Sequence, residues 1–229
     1  YEAWQPVSDP RIMSHFFERQ FSRLPLKGDA ARDQRFWSGD YWALRKGNIN
    51  FRWNAKVKVG FILNSPSREE VLRMTQQELA ELAPTEKFDI FMGRYDYPLK
   101  QEVAGKANIK ALDWEGICHG WAPATMNHNE PIPKTMINPD GVAVPFGSAD
   151  IKALLSYYYA NVFKVETTHQ MGSRCFSSRR EKECQNDLNA GAFHIALANR
   201  LGLESRGLIA DLDRGEEIWN HPLRAYTSE

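Results

Sequence analysis

Hydrophobic and polar positions along the chain predict helices first and strands later. Residues 148–162 (SADIKALLSYYYANV) repeat apolar positions at helical spacing, and Ser67 and Glu70 have the spacing of a capping box at a helix start. Residues 137–147 predict a hairpin that turns through Asn-Pro-Asp-Gly. Residues 191–226 contain three strand-like runs separated by glycine-containing turns, which predicts an antiparallel meander. This order of elements favours an α+β fold.

Other segments predict less regular structure. The Asp-Pro pair at 9–10 favours a helix start, and apolar residues at helical spacing extend that pattern to Phe21. Residues 85–113 predict a loop with one short strand. The 229 residues contain no repeat, low-complexity tract or linker. We therefore predict a single catalytic domain over 1–229, with 1–55 as a helical and irregular extension packed on it.

The composition excludes some classes of partner. Lys+Arg and Asp+Glu are equal at 29 each, so the net charge gives no electrostatic reason to expect nucleic acid or an anionic membrane. No run approaches the ~18 apolar residues that span a bilayer, which predicts a chain without a membrane span. The chain opens on YEAWQPVSDP without an initiator methionine, from which we expect a fragment of a longer precursor. No calcium loop or other cofactor motif is evident, so no metal site is predicted.

The three cysteines differ in their surroundings. Cys175 and Cys184 are nine residues apart in a polar, basic segment, which favours a surface loop closed by a short disulfide in an oxidising compartment. Two free thiols in a cytosolic loop are the alternative, and a zinc site is disfavoured because no second Cys/His pair accompanies them. If the pair is bridged, Cys118 is left as an odd cysteine, which makes it a candidate reactive thiol.

Cys118 lies in the segment WEGICHGWAPA, between two glycines and two tryptophans. Proline is tolerated only near a helix start, so Pro123 predicts that a helix begins close to Cys118. Thiols at helix N-termini form the nucleophilic thiolate more readily than free thiols do. We therefore predict that Cys118 is a nucleophile and that the neighbouring His119 points away from it. Gly116 and Gly120 are expected to let a substrate backbone approach closely.

A cysteine nucleophile needs a base and a group that orients the base. His194 lies in the apolar run GAFHIALAN, where a satisfied core histidine is the alternative interpretation. Asp211 follows 17 residues later in the next predicted strand, and two antiparallel strands would place both side chains together. His194 is therefore the predicted base and Asp211 the predicted orienting acid, with Asn220 in reserve.

These residues, and several motifs around them, resemble one family. A cysteine at a helix start, followed by a histidine and then an Asp or Asn on later strands, is the order found in papain-like proteases and in transglutaminases. The chain resembles the oomycete and marine bacterial transglutaminase elicitor family in the motifs WSGDYW (37–42), RWN (52–54), WEGICHGWAPA (114–124), FGSADIKALLSYYY (146–159), GAFHIALAN (191–199) and EIWNHPLRAY (217–226).

The resemblance implies a papain-like core, secretion, and acyl transfer from protein glutamine to a lysine amine. It implies Cys118 as the nucleophile, His194 as the base and Asp211 as the orienting acid. The last motif corresponds to a surface peptide through which plants perceive these proteins, which adds a host immune receptor to the candidate partners. The residues that match this elicitor-like peptide are Trp219, Asn220, Pro222 and Arg224. Calcium dependence would follow from the resemblance alone.

Acyl transfer through a thioester needs hydrogen-bond donors for an oxyanion. The backbone N–H of Cys118 is one candidate donor. Papain-like proteases have a Gln six residues earlier, where this chain has Leu112. A tryptophan indole is the expected substitute, from Trp114 or Trp53, and Trp121 completes the aromatic wall of the expected cleft. Core packing is the alternative role of these side chains.

Two other functions fit the same residues. A papain-like cysteine peptidase or amidase would use water as the acyl acceptor in place of an amine. A non-catalytic surface protein recognised by a host would not depend on Cys118. The sequence prediction is a secreted protein-glutamine γ-glutamyltransferase.

Overall fold

The computed structural model describes residues 6–13, 18–31, 35–54, 61, 64–163, 169–173, 188–213 and 215–229. The predicted disulfide between Cys175 and Cys184 lies outside these residues. The chain divides into a middle unit, Trp37–Phe163, and a terminal unit made of Tyr1–Phe36 and Lys164–Glu229. Residues 37–54 thus belong to the middle unit, and the organisation as one catalytic domain stays a prediction.

The regular elements among the described residues are helices and short antiparallel strand pairs, which confirms the predicted α+β class. The α-helices are α1 (Arg68–Val71), α2 (Gln76–Ala80), α3 (Pro84–Phe91), α4 (Pro98–Lys106), α5 (Cys118–Asn127), α6 (Ser148–Tyr157) and α7 (Ala190–Leu197). The strands are β1 (Lys27–Asp29), β2 (Lys134–Ile137), β3 (Ala143–Phe146), β4 (Leu208–Asp211), β5 (Asn220–Leu223) and β6 (Ala225–Thr227).

Capping residues determine where the helices of the middle unit begin. Ser67 and Glu70 form the predicted capping box at the start of α1, and Thr75 forms another at the start of α2. The prediction of a loop over 85–113 is wrong, because α3 and α4 occupy most of it. Each of these helices starts with a proline at its first position, where the missing N–H has no helical partner to lose.

The predicted hairpin between β2 and β3 is confirmed, with Lys134 opposite Phe146 at one end of the pair. The side chain of Asn138 shapes its turn by accepting hydrogen bonds from the backbone N–H groups of Asp140 (3.0 Å) and Val142 (2.8 Å). Gly141 adopts a φ of 81°, which suits glycine.

Helix α3 carries charged side chains into the core of the middle unit. Glu86 has no exposed side-chain surface, and its carboxylate accepts hydrogen bonds from Arg52, Ser65 and Lys100. Burial alone would raise the pKa of Glu86, but the Arg52 hydrogen bond and the Lys100 charge outweigh it, so the pKa lies below its ordinary value. The next residue, Lys87, pairs with buried Asp150 at 2.7 Å. These pairs tie α3 to its neighbours.

The terminal unit contains α7 and two strand pairs. β4 pairs with β5, so the last two of the three predicted strand-like runs do form a hairpin. β1 pairs with β6, which joins the first and last segments of the unit. The Asp-Pro start at 9–10 begins only a short 3₁₀ turn, and Phe21 begins a separate one, so the predicted continuous helix is wrong.

The prediction that His194 lies on a strand is also wrong. Its segment forms α7, which continues as a π-helical turn over Ala198–Leu203. The Asn189 side chain caps α7 by accepting from the N–H groups of Gly191 and Ala192. Three alanines favour helix, and Ala192, Ile195 and Ala196 are buried on one face. Among the described residues, no helix is long and apolar enough to cross a membrane.

Candidate active site

Helix α5 begins at Cys118, where the sequence predicts a helix start, but Pro123 lies inside the helix and not in its first turn, so the argument from proline is wrong. Cys118 is only 6% exposed, so the sulfur lies at a shielded helix N-terminus. A helix N-terminus favours negative charge through its unpaired N–H groups and dipole. This placement suits a thiolate nucleophile.

Residues 37–44 hold the segment that leads into α5. The carbonyl oxygen of Tyr41 accepts from the N–H of Ile117 at 2.7 Å, and the N–H of Leu44 donates to the carbonyl of Glu115 at 2.9 Å. Further along the helix, Thr125 Oγ1 accepts from the backbone N–H of Trp37 at 2.5 Å. Hydrogen bonds to residues 37–44 therefore hold both the segment before α5 and the later part of the helix.

The glycines beside Cys118 make room for the chain itself. A Cβ on Gly116 would lie 2.2 Å from the carbonyl oxygen of Tyr41, and a Cβ on Gly120 would lie 2.0 Å from that of Ser156. The prediction that these glycines admit a substrate backbone is therefore wrong, because the space at both positions is already filled. His119 is exposed as a residue, but partial burial of its imidazole lowers the pKa of His119.

The predicted tryptophans have different surroundings. Trp121 donates its indole N–H to the carbonyl of Trp37 at 3.3 Å, so that donor is engaged. Trp53 is 39% exposed and meets Phe51 edge to face, with ring centroids 5.8 Å apart. Trp114 is half-buried. The structure places all three tryptophans in the middle unit with Cys118.

Trp42 is a residue that the sequence reasoning missed. It is 5% exposed, and its Nε1 has no hydrogen-bond partner among the described residues. It also has a positive φ of 45°, which is uncommon for a bulky residue. Tyr41, its neighbour in the chain, contacts the residue before Cys118, and Trp42 shares a buried cluster with Ile117. A buried donor without a partner is costly and calls for an explanation. The motif WSGDYW identifies this segment in the sequence. Nothing in the sequence indicates that the indole N–H of Trp42 is buried without a partner among the described residues.

His194 lies in the terminal unit and is half-buried. Its ring stacks on Phe21 with centroids 5.6 Å apart and an interplanar angle of 5°. Tyr226 meets the same ring edge to face, with centroids 6.5 Å apart. The imidazole is thus held by two aromatic contacts.

Asp211 is the last residue of β4, opposite Asn220 in β5. Its Oδ1 accepts from the backbone N–H groups of Asp213 and Trp219, each at 3.1 Å, which fixes the loop between the two strands. In the part of the chain that the structure describes, no hydrogen bond links Asp211 to His194. The joint action of Cys118, His194 and Asp211 stays a prediction, as does the reserve role of Asn220.

The sequence profile of the transglutaminase elicitor family matches residues 85–229, which is well over half of the chain. The chain belongs to the transglutaminase elicitor family. This confirms the family that the sequence motifs resemble. The match covers Cys118, His194 and Asp211, and the elicitor-like peptide as well.

A solved structure similar to this family member is the crystal structure of the GP42 transglutaminase from Phytophthora sojae. The two share 23% sequence identity and a TM-score of 0.65. The match covers 94% of this chain and 59% of that chain, so this chain spans less than two thirds of its length. The likeness supports the α+β fold. Comparison with curated proteins gives no match.

The residues of the predicted elicitor-like peptide lie in β5 and its flanks. Trp219 is half-buried and donates its indole N–H to Glu217 at 2.8 Å. Pro222 lies in β5 opposite Ile209, in a two-stranded sheet where each strand is an edge. Arg224 reaches Asp29 at 3.4 Å. None of residues 219–229 is buried, and their role as a surface peptide stays a prediction. Within the described ranges, no three His, Cys, Asp or Glu side chains are grouped to hold a metal ion.

Proposed function

We propose that the chain is a secreted protein-glutamine γ-glutamyltransferase that joins protein glutamine to lysine or other amines through a thioester on Cys118. The observation that carries this proposal is a buried cysteine at the start of α5 in a chain of the transglutaminase elicitor family. Family membership supports the reaction class, and the helix start supports the nucleophile.

The proposed reaction has two steps with the same proton carrier. In the first, the Cys118 sulfur bonds to the glutamine carboxamide carbon, its proton passes to His194, and that proton leaves on the departing ammonia. In the second, the nitrogen of an amine bonds to the thioester carbon and the carbon–sulfur bond breaks. The nitrogen loses a proton, which passes through His194 to the sulfur. The product is an amide, and the thiol is regenerated.

We assign the remaining roles from the residues around these groups. Asp211 is the proposed orienting acid for His194, with Asn220 as the reserve, on the family resemblance. The helix-start N–H of Cys118 is the first proposed oxyanion donor. The indole N–H of Trp42 is the second, because it is buried, has no partner among the described residues and belongs to the segment that contacts Ile117.

A papain-like peptidase or amidase is the second candidate, with water as the acceptor. The burial of Cys118 favours the transferase, because a shielded thioester reacts with a bound amine in preference to water. The half-buried to exposed peptide over 219–226 supports a surface role beside catalysis, with a host immune receptor as the proposed partner. Secretion is proposed from membership of an elicitor family.

One assay separates the candidate functions. The protein is incubated with a glutamine-rich protein and a fluorescent primary amine, while ammonia release, amine incorporation and peptide cleavage are followed together. A transferase releases ammonia in step with amine incorporation. Cleavage or ammonia release without incorporation supports a peptidase or amidase, and the absence of all three supports a non-catalytic surface protein.

A further inference from the structure

The imidazole of His194 has aromatic neighbours on two sides. Phe21 lies parallel to it at 5.6 Å, and Tyr226 presents its ring at an angle of 89°. Both distances fall in the range in which aromatic pairs attract each other beyond their simple burial. Both partners belong to the terminal unit, as His194 does.

Phe21 is placed over the first turns of α7. A Cβ on Gly191 would lie 3.8 Å from Phe21 Cζ, and Gly191 and His194 are three residues apart on one helix face. The backbone of Phe21 is fixed by a 3₁₀ turn, in which its carbonyl accepts from the N–H of Leu24 at 3.2 Å. Phe21 is nevertheless 57% exposed, so its ring covers His194 rather than filling the core.

Tyr226 is fixed more firmly. It lies in β6 opposite Gly28 of β1, and its hydroxyl donates to the carbonyl of Pro25. A Cβ on Gly202 would come within 2.8 Å of that hydroxyl, so the surrounding backbone closes around it. The ring of Tyr226 also packs against the buried cluster that contains Ile195, the residue after His194.

A histidine base needs its ring held in one orientation, and in triads a carboxylate or amide does this. Oδ1 of Asp211 already accepts from two backbone N–H groups, and among the described residues no hydrogen bond links Asp211 to His194. We propose that Phe21 and Tyr226 are positioning residues that hold the His194 ring for proton transfer. This assignment rests on the proposed function, in which His194 is the base.

The test is Phe21→Leu, which keeps an apolar side chain and removes the ring. We expect the His194 ring protons to lose the ring-current shift that Phe21 causes, as seen by NMR. We expect kcat for amine incorporation to fall roughly tenfold with KM unchanged. Phe21→Tyr should restore both values. Phe88→Leu is the matched control, because Phe88 is 37% exposed and lies on α3 in the middle unit.

Three results would overturn the proposal. The first is an unchanged His194 signal in Phe21→Leu. The second is a shifted signal with unchanged kcat. The third is that Asp211→Asn displaces the His194 ring whereas Phe21→Leu does not. The NMR measurement needs no activity, so a wild-type protein that transfers nothing would sink the proposed function while the stacking contact is still tested.

Discussion

Gly120 of α5 rests directly on the backbone of α6 at Ser156. A Cβ on Gly120 would lie 2.0 Å from the carbonyl oxygen of Ser156 and 2.8 Å from the backbone nitrogen of Ala160. Backbone atoms cannot move aside as a flexible side chain can. The position of Cys118, two residues earlier, therefore depends on this glycine.

We predict that Gly120→Ala destabilises the protein by about 1–3 kcal/mol through overpacking, with more if α5 must shift. Gly105→Ala is the matched control, because Gly105 lies inside α4 with nothing within 4 Å of the added atom. It should stabilise by about 0.5–1 kcal/mol, since alanine favours helix. Urea unfolding of both variants checks the pair. Equal changes in stability would show that the contact with Ser156 does not prevent a larger residue at position 120.

A second prediction concerns Glu86. Glu86→Gln leaves Arg52 and Lys100 without their shared carboxylate, so we expect a loss of about 3–5 kcal/mol at neutral pH. Asp96→Asn is the control, because its pair with Arg94 is exposed to solvent and should contribute little to stability. Denaturant unfolding measures both variants. A loss in Glu86→Gln no larger than in Asp96→Asn would contradict the account.

The same carboxylate predicts a pH dependence. The pKa of Glu86 is held below its ordinary value of 4.5, so its contribution is present above that pH and is lost as pH falls through the folded-state pKa. The free energy of unfolding should therefore decline more steeply in acid for the wild type than for Glu86→Gln. Parallel acid limbs in the two proteins would contradict this assignment.

The third prediction tests the second oxyanion donor. Trp42→Phe keeps an aromatic ring and removes the indole N–H, so we expect kcat for amine incorporation to fall by about 10²–10³. Alkylation of Cys118 by iodoacetamide forms no oxyanion, and its rate should stay unchanged. Trp53→Phe removes an indole N–H that the sequence offers as an alternative donor, and it should leave kcat unchanged if Trp42 is the donor. An equal fall in alkylation and in transfer would indicate a packing role for Trp42.

The features that the sequence predicted correctly have strong local signals. The turn between β2 and β3 follows from Asn138 and Gly141. The capping box of Ser67 depends only on residues within one helical turn. Such contacts act over a few residues, so the sequence alone contains them.

The errors come from patterns that fit two structures or from distant contacts. The run around His194 is apolar enough for a buried strand, and only the Asn189 cap and the alanine content favour the helix that forms. The space beside Gly120 is filled by Ser156, which is far away in the sequence. The positive φ of Trp42 likewise depends on tertiary packing. No local sequence pattern predicts these contacts.

The fourth prediction concerns Cys175 and Cys184, which lie outside the described residues. Their spacing in a polar segment, and secretion as implied by the family, predict a disulfide. Closing so short a loop would stabilise by about 2–3 kcal/mol. Mass spectrometry of an unreduced digest should find the linked peptides. Recovery of both cysteines as alkylated thiols would contradict the pairing.

The most direct test of the account is amine incorporation by the wild type and by Cys118→Ser. The wild type should attach a fluorescent primary amine to a glutamine-rich protein. Cys118→Ser should fall to the background rate, because an alcohol is a far weaker nucleophile than a thiolate. Incorporation by Cys118→Ser at a rate close to the wild type would contradict a thioester on Cys118.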